Sequence, residues 1–113
     1  MERYFVGLDV SKDETAICVK GSDGRTAVAL KKPTDPDVIA AALVQTNLPI
    51  CCVVMETGRM ANWLYHELAN REVPIVCIDA RRAHAVLSQM HNKTDANDAA
   101  MLAELARTGF YRR

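Results

Sequence analysis

Four acidic residues, Asp9, Glu56, Asp95 and Asp98, stand where phosphoryl-transfer chemistry could be assembled. Asp9 and Glu56 each close a short apolar run, Tyr4 to Leu8 and Ile50 to Met55, in which neighbouring as well as alternating positions are apolar. Runs of that kind are central strands covered on both faces. Sites in open α/β sheets form beyond the carboxyl ends of such strands, so both carboxylates are expected at one rim of the sheet. Asp95 and Asp98 are spaced i,i+3 and share one face of a helix, a stripe that continues through Leu102, Leu105 and Ala106. Acids in a first helical turn also complement the helix dipole, worth about 0.3–1 kcal/mol, but the solvent face serves that role best. A charge beside the core is costly unless something compensates it. Carboxylates gathered in one place repel each other and call for cations. Hard oxygen ligands suit Mg²⁺ or Mn²⁺, one or two ions, and an ion pair about 3.5–4 Å apart suits in-line displacement at a phosphodiester. The expected chemistry is phosphoryl transfer on nucleic acid.

The elements that must position these acids follow from periodicity. Tyr4 to Leu8, Thr15 to Lys20 and Arg25 to Leu30 form an antiparallel meander, the last two joined by the turn Gly21-Ser22-Asp23-Gly24. Pro33 and Pro36 break the strand pattern, and Thr34 or Asp35 caps a helix whose apolar face is Val38, Ile39, Ala42 and Leu43. After the strand Ile50 to Met55, a helix from about Met60 to Asn70 turns Trp63, Leu64 and Leu68 toward the sheet, and Pro74 to Ile78 is a further buried strand. Asp79 to Gln89 could add a helix. Thr94 to Thr108 is the clearest helix, with Thr94 as cap and Gly109 as stop. Strand and helix in alternation imply parallel pairing among the later strands. The fold class is therefore α/β, a mixed sheet of three antiparallel strands followed by parallel ones, with helices on both faces.

A chain of 113 residues, half hydrophobic and a quarter charged, suits one globular domain spanning 1–113 and excludes disordered or fibrous classes. Fourteen basic residues balance fourteen acidic ones, so the overall field does not advertise a polyanion partner; bound cations would supply positive charge locally. Cys18, Cys51, Cys52 and Cys77 all lie in apolar runs without zinc-like spacing, and are expected as reduced, buried thiols. The apolar run before Asp9 is too short for a signal peptide or a membrane span, so a cytoplasmic protein is expected, with no membrane partner.

Three blocks in order, Gly7-Leu8-Asp9-Val10-Ser11-Lys12, Glu56-Thr57-Gly58 and Lys93-Thr94-Asp95-Ala96-Asn97-Asp98-Ala99, resemble the DEDD insertion-sequence transposases (family one-ten), a group that includes pilin-gene inverting recombinases. The resemblance spans essentially the whole chain, and the Lys-Thr-Asp-x-x-Asp-Ala block is its most specific part. It implies a RuvC-like, RNase H-like domain whose four acids, matched by Asp9, Glu56, Asp95 and Asp98, bind Mg²⁺ for DNA strand cleavage and exchange. It further implies that this is the N-terminal catalytic part of a longer protein, followed there by a helical linker and a C-terminal transposase domain with its own serine. Full-length members act on DNA, some are directed by a structured guide RNA, and a homo-oligomer is expected.

Ser11 and Lys12 follow the first acid and could hold a phosphate or simply form a solvated turn. Arg81, Arg82, His84, His91 and Lys93 make the one locally basic stretch, with Arg81, Arg82 and Lys93 the best candidates for a DNA-facing edge. Trp63 and Phe110 read as core residues. Two alternatives compete. An actin-like or sugar-kinase-like ATPase also begins with a strand ending in Asp, but its phosphate loop needs glycine, and Asp9 to Glu14 contains none. A RuvC-like Holliday-junction resolvase would use the same acids.

Overall fold

The computed structural model describes residues 3–56, 61–78 and 95–109, with the side chains of Ala61 and of Asp95 to Asp98 outside that set. Among the described residues the order is β1 (Tyr4–Val10), β2 (Glu14–Gly21), β3 (Thr26–Pro33), α1 (Pro36–Gln45), β4 (Ile50–Glu56), α2 (Ala61–Asn70), β5 (Ile75–Ile78) and α3 (Asp95–Thr108). The strands form one sheet in the order β3-β2-β1-β4-β5. β1 and β2 pair antiparallel, as do β2 and β3, whereas β1 with β4 and β4 with β5 are parallel. The expected meander followed by parallel strands is the observed topology, and it makes β1 the centre of the sheet.

Strand alternation divides the core in two. Val6, Leu8, Ile17, Val19, Val53 and Met55 point to the face covered by Ile39, Ala42 and Leu43 of α1 and by Leu64 and Leu68 of α2. Phe5, Cys52, Val54 and Ile78 point the other way, against Leu102, Leu105 and Ala106 of α3. Both faces of β1 and β4 are therefore buried, which is why their sequences are continuously apolar.

Local chemistry sets the helix ends. The Asp35 carboxylate accepts from the N–H groups of Asp37 and Val38 at 2.8 and 3.3 Å, and Pro36 occupies the first turn, where its missing N–H costs nothing. Of the two expected caps, Asp35 is the one used. Gly109 closes α3 with φ +77°, a left-handed conformation that an L side chain resists.

Three expectations are corrected. β3 does not stop at Leu30 but runs to Pro33, which pairs with Glu14. It is an edge strand, and there proline is tolerated. Trp63 is 45% exposed and not part of the core, because Leu64 and Leu68 already define the buried face of α2. Cys51 is exposed and Cys77 half-buried, with only Cys18 and Cys52 buried as expected; none of the four is in a disulfide. The register of β1 against β4 passes from Tyr4–Ile50 to Phe5–Cys52, so Cys51 is the extra residue of a bulge and is turned outward. The possible helix over Asp79 to Gln89, the Thr94 cap and Phe110 lie outside the described residues.

Candidate metal and nucleic-acid site

Asp9 and Glu56 come to one place. In the parallel β1–β4 register Leu8 lies beside Met55, so the next position of each strand sets Asp9 beside Glu56, about 5 Å apart at the backbone. β1 runs two residues past its apolar segment, to Val10, and β4 one, to Glu56, so each acid lies within its strand and not in the loop. By alternation Asp9 follows Phe5 and Gly7, and Glu56 follows Cys52 and Val54, so both side chains belong to the face that α3 covers. Both are half-buried, and the Oε2 atom of Glu56 is out of contact with solvent. The Glu56 charge is felt next door: burial pushes the Cys77 thiol up from its ordinary value, and the carboxylate adds to the effect.

The placement of α3 depends on a close approach. A Cβ on Gly7 would fall 2.1 Å from the Ala99 carbonyl oxygen and 2.3 Å from the Ala103 nitrogen, both helix backbone. Around this point Ala16, Cys18, Ala99 and Ala103 form a patch of small buried residues that lets the helix lie against β1 and β2. Phe5 shares its cluster with Leu102, Leu105 and Ala106, while Gly7 meets Ala99 and Ala103, so α3 runs antiparallel to β1. Two strand residues cover about 6.6 Å and four helical residues about 6 Å. One further step along the strand, to Asp9, therefore reaches the backbone of the helix's first turn, Asp95 to Asp98. Ala16, the cross-strand partner of Asp9, belongs to the same buried patch as Ala99 and Ala103, with Ala100 packed against it.

The far end of α3 is tied down by charge. Glu104 receives Lys20 of β2 at 3.4 Å and pairs with Arg107, whose guanidinium also donates to the Ser22 carbonyl at 3.3 Å. The Arg107 hydrogen bond holds the Glu104 carboxyl below its ordinary 4.5, against an opposing contribution from burial and with help from Lys20. A depressed folded pKa stabilises the fold above the unfolded value and loses that contribution as pH falls through the folded one. Glu104→Gln is thus expected to lower stability at neutral pH by less than about 1 kcal/mol, since the pair is partly exposed. Urea titrations of both chains should converge as pH falls below about 4.5; a constant difference would mean packing and not charge.

Among the described residues no cluster of three potential metal ligands occurs; the side chains of Asp95 and Asp98 lie outside those residues. Two adjacent carboxylates with one buried oxygen are nevertheless a donor set that fits a hard divalent cation. Ser11 and Lys12 are exposed on the β1–β2 turn, beside a groove of about 280 Å³ lined also by Asp13, Glu14, Ala16 and Lys31. Lys31 was not singled out from the sequence. Its signal is cross-strand register: Asp9 pairs with Ala16 and Ala16 with Lys31, one row across three strands. Arg81, Arg82 and Lys93 lie outside the described residues.

Among solved structures, the chain is similar to the RuvC protein of T. thermophilus in complex with a Holliday junction substrate, with a TM-score of 0.61 at 13% identity, covering 100% of this chain and 95% of that one. It is also similar to a ROK family transcriptional regulator, a homolog of the E. coli MLC protein (TM-score 0.50, 14% identity, 79% of this chain and 31% of that one). The ethanolamine utilization protein EutJ of Carboxydothermus hydrogenoformans matches more weakly (TM-score 0.48, 18% identity, 79% and 41%). At these identities the likeness establishes the fold, which is RuvC-like and RNase H-like as expected. A search among curated proteins found no match. The family model for DEDD transposases of the IS110 type, described as "Transposase", matches residues 6–113. Family and fold together describe a catalytic domain of the nuclease or recombinase type. By that match across nearly its whole length, the chain belongs to the DEDD transposase family.

Proposed function

We propose that this domain cleaves and exchanges DNA strands in transposition with one or two Mg²⁺ or Mn²⁺ ions held by Asp9, Glu56, Asp95 and Asp98. The observation that carries the reading is the meeting of Asp9 and Glu56 at the ends of neighbouring parallel strands, on the face that the first turn of α3 reaches. Bound there, divalent metal would supply charge neutralisation at the phosphate and favour the attacking oxygen. The chain's own contribution is to hold the carboxylates rigidly on two central strands and a packed helix, so that little reorganisation is needed when substrate arrives.

Ser11 and Lys12, with Arg81, Arg82 and Lys93, are proposed to face the DNA backbone. The domain is read as the N-terminal part of a longer cytoplasmic protein, in which a homo-oligomer and a structured guide RNA complete the machinery. No helix among the described residues is long and apolar enough to cross a membrane.

The test is thermal. Mn²⁺ or Mg²⁺ in the millimolar range should raise the melting temperature, because a ligand that binds only the folded state stabilises it. ATP, the ligand of the actin-like alternative, should leave it unchanged. A metal-independent melting temperature, or a shift with ATP alone, would overturn the assignment.

A further inference from the structure

The β1–β2 turn beside Asp9 is not a free hairpin. Ser11 N–H donates to the Glu14 carbonyl at 3.0 Å, closing the turn, and two further bonds reach it from Thr34, in the connection between β3 and α1. The Thr34 N–H donates to the Asp13 carbonyl at 3.0 Å, and its hydroxyl donates to the Ser11 carbonyl at 2.7 Å. That hydroxyl also lies 2.8 Å from the Thr15 hydroxyl. A hydroxyl has one proton, and Thr34's is committed to Ser11, so Thr15 must be the donor between the two. Thr15 is fully buried and is the one buried polar side chain among the described residues. Buried hydroxyls need a partner, which fixes Thr34 from behind.

The turn so held carries Ser11 and Lys12 into the groove that also contains Lys31. Two lysines and two acids, Asp13 and Glu14, line it, so net charge draws no phosphate there; attraction depends on where the turn points Lys12. Ordering a backbone residue costs about 1–2 kcal/mol, and a turn ordered before binding spares the complex that cost.

We propose that Thr34, backed by Thr15, is a positioning residue that pre-orders the Ser11–Asp13 turn so that Lys12 meets a DNA phosphate beside Asp9. This rests on the DNA reading above.

The experiment measures anisotropy of a short fluorescent DNA duplex in Ca²⁺, alongside the Mn²⁺-induced melting shift. Thr34→Val should weaken DNA binding about fivefold, Thr34→Ser should restore it, and the Mn²⁺ shift should persist, since Asp9 sits in the strand and not in the turn. Lys12→Ala should weaken binding comparably, and adding Thr34→Val to it should cost nothing more, because the two act through one contact. Thr34→Val leaves the Thr15 hydroxyl without its acceptor, so Thr15→Val with Thr34→Val, which removes both polar groups, serves as a second variant that folds more readily. DNA binding by Thr34→Val at the wild-type level, losses that multiply with Lys12→Ala, or Lys12→Ala binding as wild type would each overturn the positioning role. Wild-type chain that binds no DNA would instead remove the proposed function itself, and this role with it.

Discussion

A Gly7→Ala chain is expected to lose about 3 kcal/mol or more of stability and, with it, the response to divalent metal. Overpacking a core typically costs about 1–3 kcal/mol when the neighbours can adjust. Here the added methyl would meet backbone atoms of Ala99, Leu102 and Ala103 at 2.1 to 2.8 Å, and a helix backbone cannot rotate away as a side chain can. The whole of α3 must lift from the sheet, taking its first turn away from Asp9. Gly21→Ala is the matched control. Its Cβ would lie 3.2 Å from an Asp23 side-chain oxygen, which can move, so a loss under about 1 kcal/mol is expected. Urea denaturation and Mn²⁺-dependent melting of both variants check the pair. Equal stabilities would mean that α3 does not depend on contact at Gly7.

Removing any of the proposed ligands should produce the opposite signature, activity lost and stability kept. Asp9→Asn, Glu56→Gln and Asp98→Ala are each expected to abolish the Mn²⁺ melting shift and to reduce DNA strand cleavage by at least about 10²-fold, given that metal assistance is worth several kcal/mol at about 1.4 kcal/mol per tenfold. The same changes should leave metal-free stability unchanged or raised, because each removes one of several crowded negative charges. An acid that merely complemented the α3 dipole would behave otherwise. Asp98→Ala would then cost about 0.3–1 kcal/mol and leave the metal response intact. Melting curves of wild type and Asp98→Ala, with and without Mn²⁺, distinguish the two roles.

What sequence revealed was mostly local. Continuous apolarity in Tyr4 to Leu8 and Ile50 to Met55 reports burial on two faces, and that is enough to identify central strands and the rim where Asp9 and Glu56 meet. The stripe Leu102, Leu105 and Ala106 likewise announced the buried face of α3. Periodicity misled at Trp63, where hydrophobic type suggested burial although Leu64 and Leu68 sufficed for the contact. It was silent on Cys51, since a bulge is a property of two strands in register and not of one. Long-range features were also invisible: the Thr15–Thr34 hydrogen bond joins residues 19 positions apart, and Lys31 reaches the Asp9 row only through pairings of β1 with β2 and β2 with β3. Gly7 stood in plain view inside the first motif, yet only the helix above it explains why no side chain can be there.

Because β1 precedes α3 in the chain, a growing polypeptide carries Asp9 before the helix that covers its face exists. On the ribosome such a fragment would hold the proposed ligands Asp9 and Glu56 without Asp95 and Asp98. On the proposed reading, the acid set of this domain would thus be complete only once α3 docks on the sheet, and a product terminated before that helix would lack it.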